Sequence, residues 1–262
     1  MTRSIWIAVP LLLLSACKNE LAGTKTVALA VSRATEPAPI AKGFDGRVVA
    51  YSPALHLAVD GVTIGTEPAP GQALLLPPLQ AAAKEKKPRT IIALDRTTPY
   101  GLAAPIMYTL VQSEVSRLEL LTADAAGERR ILPIEPPRSG EIVCLRNLGT
   151  AAPEPSQDAL CLSLDVKASG AVAVVVNGTF VDAGCTGVGG TGAVAVPPRA
   201  STTEVDGGAL GRCLGTVLTQ TKATKRSRVS VAGDRALAWQ EIVRTLDAVH
   251  AAGLEPQLGQ AH

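Results

Sequence analysis

Aromatic side chains make up only 3% of the 262 residues. So few rings leave little to stack on bases or sugars, and any core has to be built from Ala, Val, Leu and Ile. Charge of one sign is also missing: 25 Lys and Arg against 23 Asp and Glu leave +2. A balance that even excludes a strong electrostatic commitment to nucleic acid, which is not expected as a partner. Histidine is sparse, with His56, His250 and His262 far apart, and no Cys-x-x-Cys pair occurs. The usual zinc spacings are therefore absent, and no metal or other cofactor is expected. No Gly-x-Ser-x-Gly elbow, His-Glu-x-x-His or P-loop is present, so no catalytic residue is assigned and an enzyme is not expected. The letters G-x-G-x-x-G do occur from Gly187 to Gly192, but they run into Ala-Val-Ala-Val-Pro-Pro. A pyrophosphate needs such a loop to open into a helix N-terminus, so dinucleotide binding is not expected.

Long apolar runs are lacking too. Ile5 to Leu14 falls short of the roughly 18 residues of a spanning helix and reads as an export signal. It ends in Leu14-Ser15-Ala16-Cys17, which resembles a bacterial lipobox. That resemblance implies a signal peptide over residues 1–17, cleavage before Cys17, acylation of its thiol and a lipoprotein held on a membrane. With Lys18 next, it implies the periplasmic face of the outer membrane if the cell has two membranes. Export favours disulfides for the remaining cysteines, Cys144, Cys161, Cys185 and Cys213. Of three pairings, Cys144 with Cys161 and Cys185 with Cys213 close the shorter loops.

What is present is a repeat. The stretch Lys84 to Gly101, KEKKPRTIIALDRTTPYG, finds a partner 139 positions later without a gap. Arg89 falls on Arg228, Asp95 on Asp234, Arg96 on Arg235, Tyr100 on Trp239, Met107 on Leu246 and Leu110 on Val249. An ordered set of apolar positions, a basic turn and Asp-Arg in one register argues for duplication. With 47% hydrophobic and 18% charged residues, the chain suits two domains of about 100 residues with separate cores. Residues 18–46, with Pro37 and Pro39, are expected to include a tether, 47–135 the first unit, 136–157 a Pro-rich linker and 158–260 the second. A flexible Gly-rich insertion is expected at about 184–208.

Within the first unit, Asp60-Gly61 has hairpin chemistry. Pro78 suits the first turn of a helix through PPLQAAAKEKK, and TIIALD reads as a strand. Thr98-Pro99 signals the start of a helix that Pro105 should kink or delay. RLELL and ERRILPI supply closing strands. In the linker, EIVCLRNL is a candidate strand. In the second unit Leu160, Leu162, Leu164 and Val166 alternate, Asn177-Gly178 is a further turn, RVSVAG is a strand and LEPQL is a last one. The helix ALAWQEIVRTLDAVHAAG shows Ile242, Leu246 and Val249 on one face and ends at Gly253. The fold class is therefore α+β, two similar units each with two helices packed on a small mixed β-sheet.

This order of elements, with ALDRTTPYG before the second helix, resembles the periplasmic domain of the ExbD/TolR biopolymer-transport family. In that family an Asp ends the central strand and Tyr-Gly opens the next helix. Asp95, Tyr100 and Gly101 match; in the second unit Asp234 matches, Trp239 stands for Tyr, and Gln240 departs from Gly. The resemblance implies an interaction module docking on peptidoglycan, on an ExbB/TolQ-type membrane complex or on another copy of itself. Family members also carry an acidic residue in an N-terminal membrane helix for proton flow; no Asp or Glu precedes Cys17, so proton translocation is not expected. Asp95 and Asp234, just before helices, are expected to cap turns rather than act as bases. The alternative is an envelope hydrolase or small-ligand-binding protein with its site between the two units.

Overall fold

Two turn dipeptides set matching hairpins. Asp60-Gly61 has φ of 50° and 83°, and Asn177-Gly178 has 49° and 80°, the left-handed pair that a tight two-residue hairpin demands. The structure, a computed structural model, describes residues 20–54, 56–65, 76–115, 117–134, 160–190, 194–221 and 228–262. In chain order the first unit runs β1 (Glu36–Pro37), β2 (Arg47–Ser52), β3 (His56–Val59), β4 (Val62–Gly65), α1 (Pro77–Ala83), β5 (Thr90–Leu94), α2 (Tyr100–Gln112), β6 (Leu118–Ala123) and β7 (Arg129–Ile134). The second runs β8 (Leu162–Val166), β9 (Val172–Val176), β10 (Thr179–Val181), β11 (Val188–Gly190), α3 (Gly207–Thr221), β12 (Arg228–Gly233), α4 (Trp239–Ala251) and β13 (Glu255–Ala261).

The chain is mixed α+β, with two mixed sheets and four helices among the described residues. Their orders are β1-β7-β6-β5-β2-β3-β4 and β11-β10-β9-β8-β12-β13. The two sheets share a pattern: β2 and β8 each pair antiparallel with the next strand, β3 or β9, and parallel with the strand after the unit's first helix, β5 or β12, which pairs parallel with the strand after its second, β6 or β13. Helices α2 and α4 begin and end at positions separated by the 139-residue offset of the sequence repeat. Two similar units are what this topology describes.

The expectation of separate cores is corrected. Buried side chains of both units, among them Leu79, Ile106, Leu110, Leu164, Leu214, Leu246 and Val249, form one contiguous cluster. A second cluster lies on the opposite face of the first sheet, where Val48, Ala50, Ile91, Ala93, Leu121 and Ile131 meet Leu21 and Val27. Alternate residues of β2 and β5 thus point into different clusters, as a period of two requires. Burial on both faces accounts for the unbroken apolar runs of these strands. In β8 only Leu162, Leu164 and Val166 are fully buried, with Ser163 and Asp165 half-buried between them.

The material covering the first sheet is the segment expected as a tether. From Glu20 on, it belongs to the fold: Leu21, Thr24, Val27 and Ala30 are buried, and β1 pairs with β7. The apolar outer face of the sheet has to be removed from water, and these residues do it. We call residues 20–46 the strap.

Three local expectations also change. Helix α2 continues through Pro105, whose carbonyl accepts from the Thr109 hydroxyl at 2.8 Å. Thr98 does not cap that helix: the N-cap position is Pro99, no side chain caps it, and the Thr98 hydroxyl is buried without a partner. The insertion at 184–208 contains β11 and contributes Ala195, Val196 and Val205 to the core. Cys17, Cys144, EIVCLRNL and the linker at 136–157 lie outside the described residues.

Candidate functional site: the seam between the repeats and its cleft

A helix leaves its first backbone N–H groups without partners, and both α2 and α4 begin without a side-chain cap. The two repeats supply each other's missing acceptors. Tyr100 N–H donates to Leu237 O at 2.7 Å and Gly101 N–H to Arg235 O at 2.9 Å. Reciprocally, Trp239 N–H donates to Thr98 O at 2.8 Å and Gln240 N–H to Arg96 O at 3.0 Å. Every donor and acceptor has its mate 139 positions away, and Pro99 faces Ala238 in an antiparallel bridge between them. The local pseudo-two-fold axis of the molecule passes through this bridge.

The residues singled out in the sequence converge here. The Tyr100 and Trp239 rings stack, with centroids 6.4 Å apart and planes 22° from parallel. Tyr100 is fully buried, and its hydroxyl donates to Gly259 O at 2.7 Å, beside Val231 O at 3.3 Å, where the β12–β13 register shifts. Burial pushes the Tyr100 phenol well above its ordinary range. Gly101 sits against Arg235: a Cβ there would lie 3.1 Å from Arg235 Cβ and 3.2 Å from Arg235 O.

The two aspartates hold the corners. Asp95 Oδ1 accepts from the Thr97 N–H at 2.9 Å and hydroxyl at 2.7 Å, and Oδ2 accepts the Ala28 N–H at 3.2 Å. Asp234 Oδ2 accepts the Ala168 N–H, and its other oxygen lies 3.7 Å from His262 Nε2, which is 3.0 Å from Asp165. Asp95 and Asp234 thus fix turns, and Arg96 and Arg235 lend their carbonyls to the seam.

The strap breaks the symmetry and crosses the seam. Arg96 N–H donates to Ala28 O at 2.7 Å on the first repeat. On the second, the Gln240 side chain accepts the Val31 N–H at 2.8 Å and donates to Val31 O at 2.9 Å. Arg33 N–H then donates to Asp247 Oδ2 at 2.9 Å. Gln240, the counterpart of Gly101 at the 139-residue offset, therefore reads the main chain of the strap. His250, expected only to pack, reaches back to Pro133 O at 3.0 Å.

Beyond Gln240 the strap, the β6–β7 turn, α4 and the loop before α3 line an open cleft of about 490 Å³. Its charged lining is mixed. Arg244 Nη1 lies 2.8 Å from Glu241 and 3.2 Å from Glu204, with Arg199 3.7 Å from Glu204. Glu241 Oε2 accepts the Val205 N–H at 2.7 Å, and Asp206 caps α3 by accepting the Ala209 N–H at 2.8 Å. Asp247, also lining the cavity, is partly buried, and that burial pushes its carboxyl up to about 6. Nothing in the sequence singled out Asp247, Arg33 or Glu204. They are distant along the chain, and only the closure of strap and seam brings them together.

Cys185 and Cys213 form a disulfide, as expected from the shorter loop. Cys161 is also disulfide-bonded, to a partner outside the described residues. Of the G-x-G-x-x-G pattern, Gly187 directly precedes β11 and Gly189 lies within it, where a dinucleotide site needs a helix, while Gly192 is outside the described residues. Among the described residues no helix is long and apolar enough to cross a membrane, and no group of His, Cys, Asp and Glu could hold a metal ion. Comparison with protein-family models, curated proteins and solved structures finds no match to this chain.

Proposed function

We propose that this chain is a non-catalytic, lipid-anchored cell-envelope protein, an interaction module resembling the periplasmic part of ExbD/TolR transporters without its own proton-conducting helix. The observation that carries the proposal is the reciprocal capping of α2 and α4. In a single-repeat protein such uncapped helix ends are open to water or to a second copy. Here the second copy is part of the same chain, so the dimer-like body persists at any concentration. The residues that match the family pattern, Asp95, Tyr100, Gly101 and Asp234, and Trp239, which stands in for the Tyr, are used in or beside that seam. Their work is architectural, which suits a module that presents a surface rather than turns over a substrate.

Anchoring at Cys17 would join the lipid to the strap only three residues before Glu20. The anchor would then be tied to both repeats through Ala28, Val31 and Arg33. The test is crosslinked recovery of the acylated protein from its native envelope, with Cys17→Ser as control. Enrichment of a proton-channel-type membrane complex or of peptidoglycan, lost with Cys17→Ser, is the expected result. A correctly folded, membrane-bound protein that recovers neither overturns the proposal.

A further inference from the structure

The cavity beside the strap holds a carboxylate, Asp247, that has no cation within 4.0 Å among the described residues. The one hydrogen bond to the Asp247 carboxyl among the described residues is the Arg33 N–H at 2.9 Å. The charged neighbours on each surrounding element are otherwise engaged. On α4, Arg244 is shared between Glu241 and Glu204, and His250, whose Nε2 meets Pro133 O, attracts Asp247 without forming an ion pair with it. In the loop before α3, Arg199 leans on Glu204 and Asp206 caps the helix. On the strap, Arg33 attracts Asp247 without forming an ion pair within 4.0 Å. Desolvation consequently outweighs attraction at this carboxyl. The group still lines an accessible cavity of about 490 Å³, within the roughly 300–1,000 Å³ typical of small-ligand sites.

What the site lacks is one compact positive charge carrying N–H donors. A primary ammonium supplies both, with three donors on one atom. We propose that this cleft binds a small ligand through a primary ammonium group paired with Asp247. The same cavity presents Arg199, held only at 3.7 Å from a Glu204 that Arg244 approaches at 3.2 Å, and its guanidinium suits an anionic group on that ligand. The ligand class is therefore an amino acid or an aminoalkyl phosphate. This inference stands apart from the envelope reading: a soluble chain with no partner would bind just as well.

The experiment titrates ethanolamine, choline, glycine and phosphoethanolamine separately into the full chain while following the Asp247 carboxyl carbon by NMR. Ethanolamine should shift that resonance saturably at pH 7.5 and lower its titration midpoint. Its affinity should fall about tenfold by pH 5, where roughly nine-tenths of a group titrating near 6 is protonated. Choline, with equal charge and no N–H donor, should bind at least about tenfold more weakly. Tighter binding of glycine supports an amino-acid ligand, and tighter binding of phosphoethanolamine supports an aminoalkyl phosphate or lipid headgroup. Asp247→Asn keeps an acceptor for Arg33 and should abolish binding, with hydrogen exchange at the Arg33 amide confirming that the strap stays closed. No saturable shift from ethanolamine, glycine or phosphoethanolamine overturns the proposal. So does equal binding by choline or by Asp247→Asn.

Discussion

Gly101→Ala puts the seam to a test of sign. Considered as a helix residue, Gly101 near the start of α2 should gain about 0.5–1 kcal/mol on becoming Ala, since less backbone entropy is lost on folding. The seam predicts the opposite. The new Cβ would stand 3.1 Å from Arg235 Cβ and 3.2 Å from Arg235 O, inside the roughly 3.5–4.0 Å at which carbon contacts are favourable. Arg235 cannot retreat freely: its carbonyl accepts the Gly101 N–H at 2.9 Å and its own N–H is held by His262 O at 3.0 Å. Overpacking of this kind costs about 1–3 kcal/mol, so a net loss of about 1–2 kcal/mol is expected after the helix gain. Urea unfolding of the full chain measures it as a lower midpoint at unchanged slope. Gly211→Ala and Gly215→Ala serve as controls, because a Cβ at either meets nothing within 4 Å. Each should stabilise by about 0.5–1 kcal/mol. If Gly101→Ala proves as stable as the parent while both controls gain, the argument for a tight seam is wrong.

Tyr100→Phe should cost about 1–2 kcal/mol in the same assay, because it removes the hydroxyl donated to Gly259 O at 2.7 Å and leaves that carbonyl short of a partner; an unchanged midpoint would contradict the buried bond. Gln240→Ala should cost about 1 kcal/mol and speed hydrogen exchange at Val31, since both strap bonds of 2.8 and 2.9 Å are lost; equal exchange would mean the strap is held elsewhere. Asp247 contributes a pH dependence of defined sign. Its folded value of about 6 exceeds the ordinary 3.8, so the folded state holds the proton more tightly, and stability from this group is greatest below 3.8, falls as pH rises to about 6, and is level above. Asp247→Asn should remove that decline, read as the difference between the two proteins' melting temperatures from pH 4 to 7. A constant difference across that range would refute the buried assignment.

Much of the architecture was legible because it rests on local chemistry. Asp60-Gly61 and Asn177-Gly178 could hardly do anything but turn, for few other residue pairs adopt two left-handed conformations in succession. The alternation of Leu162, Leu164 and Val166 announced a strand buried on one face, and the 139-residue offset survived as matching bounds of α2 and α4. The unbroken apolar runs of β2 and β5, against the alternation of β8, meant that something had to cover the outer face of the first sheet. That cover is the strap, misread as a tether because Pro37 and Pro39 suggest extension and no local rule says what an extended segment rests on.

By itself, then, the amino-acid sequence determined the elements other than β1 and β11, their order, the duplication and the likeness of the two units, all of which depend on neighbours a few residues apart or on a repeat visible along the chain. Only the tertiary structure decided that Asp-Arg in each repeat lends its carbonyl to the other repeat's helix, that Tyr100 and Trp239 share one seam, and that Arg33, Glu204 and Asp247 enclose a cleft. The physical reason is the same in each case. A helix end needs acceptors and a carboxylate needs a counter-charge, but neither need specifies from which distant part of the chain the partner must come.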